Sequence, residues 1–268
     1  MSRPAGTGIW LVGCGNMGGA MLRGWIASGV PAASITVIDP QLTEAPDGVT
    51  VTGSIPDGTP DILVLAVKPQ LLEPVARQFG DVGVSARLLV SVLAGVEEAV
   101  LAAAFDAGRV VRAMPNLPGS IGQGVVAMHA ADADEAARAE IEALMRPLGL
   151  AEWIEDEGLF HAVTALSGSG PGFVYRFIEA MAVAGEAMGL PADQAQRFAI
   201  ATVEGSAALA RASGEAPGVL ADRVASPGGT TRAGLDVLDH GDAMKRLIHD
   251  TLSAAARRSA ELSDMARK

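Results

Sequence analysis

The chain of 268 residues carries a single cysteine, Cys14, and four histidines. One thiol cannot close an internal disulfide, and so few soft ligands argue against a structural zinc site. His129, His161, His240 and His249 share no pairing or metal-ligand spacing in the sequence, so no metal is expected. Basic residues are also in short supply: 20 Lys and Arg stand against 31 Asp and Glu, a net charge of −11. A nucleic-acid binder needs a basic patch to neutralise phosphates. The cations here are scattered, which argues against such a partner. Any anionic ligand must then be held by local dipoles, such as helix N-termini, against the average field. Long uncharged apolar runs are missing as well. Mean hydropathy is +0.31, yet the best candidate membrane span, 173–189, is broken by Arg176, Glu179 and Glu186, which excludes it. Residues 1–6 contain no apolar run ending in a small-residue cleavage site, so no leader peptide is expected and a cytoplasmic location is the default.

Hydrophobic residues make up 49% of the chain and charged ones 19%, a globular composition, and the length allows two domains. In the first half, short runs rich in Val, Ile and Leu occur at 8–12, 35–38, 49–52, 62–67, 88–93 and 110–114. Several are apolar throughout, which suits strands covered on both faces of a parallel sheet. Helix-like stretches at 17–28, 71–79 and 96–104 alternate with them, and a run at 124–128 and a helix at 132–146 complete the series. Strand–helix alternation of this kind predicts a doubly wound, mostly parallel α/β domain, Rossmann-like, over 1–157.

From about residue 158 the texture is helical to the end. Phe173, Phe177, Met181, Ala184 and Met188 recur at helical spacing, as do Ala199, Val203 and Ala207, and Met244, Leu247, Ile248, Thr251 and Ala255. These helices are rich in Ala and Gly and poor in aromatics, so their side chains offer little volume to bury. Either they pack tightly on themselves or burial requires a partner chain; a homo-oligomer is expected. The acidic stretch 152–157 reads as a solvated connector between the two halves.

Gly13-Cys14-Gly15-Asn16-Met17-Gly18 fits G-x-G-x-x-G, follows an apolar strand directly and opens a helix. A lone glycine pattern is weak, but in that context it signals a dinucleotide site. Gly13 permits the turn, Gly15 lets the backbone approach a pyrophosphate, and Gly18 allows close helix–strand packing, with Cys14 and Met17 as packing residues. Asp39 ends the second strand and admits two readings. It can accept hydrogen bonds from an adenosine ribose and repel a 2′-phosphate, favouring NADH over NADPH, or it can simply start the Asp-Pro turn. Ala66-Val67-Lys68-Pro69 ends another buried strand, where the carboxyl ends of strands line the ligand crevice.

Three further segments join these: Arg112-Ala113-Met114-Pro115-Asn116, Ser167-Gly168-Ser169-Gly170-Pro171 before one long helix, and Ala225-Ser226-Pro227-Gly228-Gly229-Thr230-Thr231 before another. With the glycine loop and the Val67-Lys68-Pro69 strand end, the sequence strongly resembles the pyrroline-5-carboxylate reductases, whose shared motifs occur here in order from Gly13 to Leu262. Departures are mild: Leu117 stands where many members have Thr, Gly172 where Ala is common, and Asp39 is not the usual ending for members preferring NADPH. The resemblance implies NADPH or NADH as cofactor, a small cyclic imine acid as substrate, proline as product, and an all-helical substrate and dimerisation domain over 158–268. It also implies that Thr231 bonds the ring nitrogen. Ser226, Gly228, Gly229 and Thr230 would cradle the carboxylate at a helix start, Val224 would pack on the ring, and Lys68 and Pro69 would shape the nicotinamide pocket. For Arg112, substrate contact and a structural ion pair both stand. A 3-hydroxyacid dehydrogenase would keep a lysine on the long interdomain helix, and 156–189 contains none. A non-catalytic dinucleotide sensor would have no need of a second anion cradle.

Overall fold

The computed structural model describes residues 8–266, so the opening segment read for a leader peptide lies outside the described residues. These residues form an eight-stranded sheet in the order β3-β2-β1-β4-β5-β6-β7-β8. The strands are β1 Ile9–Val12, β2 Ile35–Ile38, β3 Thr50–Thr52, β4 Ile62–Leu65, β5 Ala86–Ser91, β6 Ala107–Pro115, β7 Gly124–His129 and β8 Gly149–Trp153. Every neighbouring pair is parallel except β6 with β7. Strand order reverses at β1, which pairs with both β2 and β4, Ile9 lying opposite Ile35 and Ile62. Reversal of this kind opens a crevice at the carboxyl ends of the strands, the place where such sheets bind ligands.

Helices cover both faces, and the unbroken apolar strands follow from that. In β1, Ile9 and Leu11 face a core shared with Met21, Leu22 and Trp25 of α1 (Asn16–Ala27) and Ile141, Leu144 and Met145 of α4 (Glu135–Met145). Trp10 and Val12 face a second core with Phe79 of α2 (Leu72–Val82) and Leu101 of α3 (Glu98–Ala104). Trp25 is fully buried, and its indole N–H donates to the carbonyl of Leu144 at 2.8 Å, tying α1 to α4. Asp134 caps α4 by accepting the Ala137 N–H at 2.8 Å, satisfying one of the orphan donors of a helix start.

β8 departs from expectation. The acidic stretch 152–157 is not a solvated connector: Glu152 and Trp153 lie in this strand, parallel to β7, and Glu157 is half-buried in an ion pair with Arg112. The strand begins on Gly149 at φ +134° and, reading Gly-Leu-Ala-Glu-Trp, lacks the β-branched residues that mark the others.

Two compact units divide the chain. Composition changes near residue 158, but the first unit runs through Gly168 and resumes at Ala255. Its later part includes α5 (Phe160–Val163), which passes into a single π-helical stretch, Thr164–Gly168. The hydroxyls of Thr164 and Ser167 donate back to the carbonyls of Phe160 and Val163 there. The last turns of α10 (Ala243–Ala266) also belong to it: His161 Nδ1 lies 3.0 Å from Ser259 Oγ, and Ser263 is buried against Gly95.

The second unit, Ser169–Ala254, is all-helical, with α6 (Gly170–Ala187), α7 (Ala192–Ser213), α8 (Pro217–Arg223), α9 (Thr230–Asp239) and the start of α10. Gly185 of α6 comes so close to α7 that a Cβ there would lie 3.4 Å from that of Ala195. Its buried hydrophobic side chains are alanines, Ala195, Ala199 and Ala225, whereas Phe177, Val183, Phe198, Leu209 and Val237 are exposed.

Candidate active site

The glycine loop and the end of β4 meet at the sheet's switch point. Gly13 has φ +87°, and a Cβ on it would lie 2.8 Å from Val67 Cγ1 and 2.9 Å from the carbonyl oxygen of Ala66. A Cβ on Gly18 would fall 2.2 Å from the carbonyl oxygen of Gly13, so no larger residue fits without moving backbone. Cys14 and Met17 pack against the core, as expected. Gly15 and Asn16 are exposed, with open space around the place a Gly15 Cβ would take. No side chain caps the start of α1 and no acidic residue stands in its first turn, so its first N–H groups are left for a ligand. That start fits a pyrophosphate.

Asp39 Oδ2 accepts the Cys14 N–H at 2.7 Å, and Oδ1 accepts the Gln41 N–H at 2.9 Å. One carboxylate therefore shapes both the glycine loop and the turn after β2. Each oxygen keeps a second lone pair for a further donor. Burial first, and then the neighbouring Asp39 charge, push the Cys14 thiol above its ordinary pKa, so it stays protonated near neutrality. Lys68 is exposed and enters the short 3₁₀ turn Pro69–Leu71, where the Leu71 N–H donates to the Lys68 carbonyl at 2.9 Å.

Beyond this turn lies a cavity of about 540 Å³. Its walls are Pro69, Gln70, Leu72 and Glu73, the turn Ala94–Glu97 after β5, Val100, and Leu262 of α10. Sequence reading found Pro69 but missed the rest. The turn after β5 carried a signal, a strand end in the same row as Lys68; Leu262 carried none, because only the fold brings it there.

In the second unit the other glycine segment also ends in an uncapped helix start. Gly228 has φ +70°, the N–H of Gly229 donates to the Ser226 carbonyl at 2.9 Å, and a Cβ on Gly229 would lie 2.5 Å from Ser226 Oγ. No side chain caps α9, and its first turn holds no acid. Thr230, Thr231 and Val224 are exposed, and neither threonine hydroxyl bonds protein among the described residues. Arg232 pairs with Asp222 at 2.7 Å, holding α9 to α8. The structure thus assembles the predicted loop with Asp39, Ala66 and Val67 in one unit, and Ser226 through Thr231 in the other.

Arg112 is 7% exposed, and its guanidinium bonds Glu157 at 2.6 Å and lies 4.2 Å over the Phe160 ring. Of the two readings open for it, the ion pair is the contact made. His129, read as unpaired, stands 3.0 Å from Glu98.

A family model for pyrroline-5-carboxylate reductase dimerisation matches residues 157–262. A second, NADP oxidoreductase coenzyme F420-dependent, matches 8–95, the half that holds the glycine loop. The pyrroline-5-carboxylate reductase of Pseudomonas aeruginosa is 36% identical over 265 residues, covering 96% of this chain and 97% of that protein. The solved structure of such a reductase from Coxiella burnetii superposes with a TM-score of 0.88 at 31% identity, covering 96% of this chain and 98% of that one. The Plasmodium falciparum enzyme, crystallised with NADP bound, shares the fold with a TM-score of 0.77 at 23% identity over 96% of this chain and 98% of its own. With relatives this similar along almost its whole length, and with the two uncapped glycine helix starts that its motifs foretold, the chain belongs to the pyrroline-5-carboxylate reductase family.

Proposed function

We infer that this chain reduces 1-pyrroline-5-carboxylate to L-proline with NADH or NADPH. The observation that carries the reading is the start of α9, where backbone N–H groups and two unpartnered threonine hydroxyls offer a carboxylate-sized anion a site in an acidic protein. Bound dihydronicotinamide supplies the hydride that saturates the C=N carbon.

The protein's task is positioning and electrostatics. The Thr230 N–H holds the substrate carboxylate, with Ser226, Gly228 and Gly229 shaping the turn, since the Gly229 N–H is already given to the Ser226 carbonyl. The Thr231 hydroxyl orients the ring nitrogen by hydrogen bonding, so that the imine nitrogen takes up a proton as hydride arrives at the carbon and the product leaves as the amine. Val224 covers the apolar edge of the ring. Gly13 through Gly18 hold the pyrophosphate at α1, while Ala66, Val67, Lys68 and Pro69 border the nicotinamide beside the 540 Å³ cavity.

Asp39 places a negative charge where a 2′-phosphate would come, with no Lys or Arg in 40–45 to offset it, which supports a preference for NADH. Residues 158–268 serve as the substrate and dimerisation domain. A helical unit whose buried hydrophobic side chains are alanines supports assembly with further copies.

The test is oxidation of each reduced nicotinamide by the purified protein on adding the five-membered imine acid, compared with its six-membered homologue. Steady oxidation with the five-membered ring, faster with NADH, is the expected result. Absence of oxidation with either ring and either cofactor would overturn the reading.

A further inference from the structure

Next to the cavity wall lies a partly buried cluster of titratable side chains that the reaction itself does not use. Arg112 of β6, His129 of β7, Glu98 at the start of α3 and Glu157 just before α5 converge there. The Glu98, His129 and Glu157 ligand atoms lie within 4.8 Å of one another, a spacing a metal ion could exploit. The Arg112 guanidinium, 2.6 Å from Glu157 Oε1, already occupies the cation's place, and a second cation beside a buried guanidinium would be repelled.

Glu157 Oε1 also accepts the backbone N–H of Glu98 at 2.8 Å. That N–H is an orphan donor at a helix start, which the Glu97 side chain does not cap. The Glu98 carboxylate turns the opposite way. It accepts the Ala131 N–H at 3.1 Å and faces His129 Nδ1 at 3.0 Å. Glu98 is thus gripped through its backbone from one side and its side chain from the other. Directly before it runs Ala94–Glu97, the turn that walls the cavity, with Gly95 at φ +77°.

We propose that Glu157 is a positioning residue for dinucleotide binding: through the Glu98 N–H and the Arg112 guanidinium it fixes the turn Ala94–Glu97 against the nicotinamide end of the cofactor. This rests on the reading of the cavity as the nicotinamide pocket. Burial alone would raise the Glu157 carboxyl, but the Glu98 N–H and Arg112 outweigh it and hold it below its ordinary value. The carboxylate is therefore charged wherever the enzyme works, and the anchor is permanent.

The experiment measures NADH affinity by fluorescence of the bound nucleotide, together with kcat, KM for NADH and melting temperature, in the wild type and in Glu157→Gln and Arg112→Lys. Both variants keep a polar atom in place, so the second serves if the first does not fold. The expected result is a dissociation constant raised about tenfold, the scale of a small misplacement of a binding wall, with KM for NADH rising by a larger factor than kcat falls. Unchanged affinity in a folded variant, or a lower melting temperature as the sole effect, overturns the positioning role and leaves the cavity reading standing. A wild type that binds neither NADH nor NADPH overturns both.

Discussion

Asp39 bonds two backbone N–H groups with a charged carboxylate, so its charge and its hydrogen bonds can be removed separately. Asp39→Asn keeps an acceptor for the Cys14 N–H and abolishes the repulsion of a 2′-phosphate. The expected outcome is a shift toward NADPH in the ratio of kcat/KM values, whereas Asp39→Ala should weaken both cofactors by loosening the loop. At the other glycine segment, Thr231→Ala should lower turnover by about 10²-fold, the lower range for losing a positioned proton partner, and Thr231→Ser should recover most of it. Equal turnover of the alanine variant at saturating substrate would remove Thr231 from the mechanism. Both residues stand out in the sequence because chemistry fixes their type and glycines fix their spacing. Glu157 was not: nothing near it in sequence reveals a buried arginine forty-five positions earlier.

Elements were readable where they bury two faces. β1 and β4, apolar at every position, could be placed from sequence, whereas β8, opened by Gly149 and without a β-branched residue, passed in part for a connector. The approach of α1 to its strand allows a sharp test. Gly18→Ala puts a methyl 2.2 Å from a carbonyl oxygen that belongs to the same loop, so backbone must shift. The expected cost is about 1–3 kcal/mol of stability by denaturant titration, with weakened nucleotide binding. The Glu157 anchor between α3 and β6 has a signature in pH. A carboxyl held below its ordinary value in the folded state stabilises the protein above the unfolded-state pKa, about 4.3 for a glutamate. That contribution is lost as pH falls through the lower folded value. Glu157→Gln should therefore flatten the acid limb of the stability profile; a limb parallel to that of the wild type would contradict it.

At the scale of the whole molecule, the helical half leaves Phe177, Phe198, Leu209 and Val237 in solvent while hiding little besides alanine. Sequence texture gave this away, since small residues at helical spacing cannot fill a core alone. Phe198→Glu together with Leu209→Glu should shift the protein from oligomer to smaller species in sedimentation, with loss of activity on dilution; an unchanged sedimentation coefficient would place the interface elsewhere. The division into two units was less legible, because residues from Ala255 onward fold with the first half. That detour has a consequence during synthesis. Leu262 and Ser263, which close the cavity and cover Gly95, leave the ribosome only after every residue of the helical unit. The eight strands end at Trp153 and can pair earlier, but a nascent chain paused before α10 would leave that cavity without its Leu262 wall.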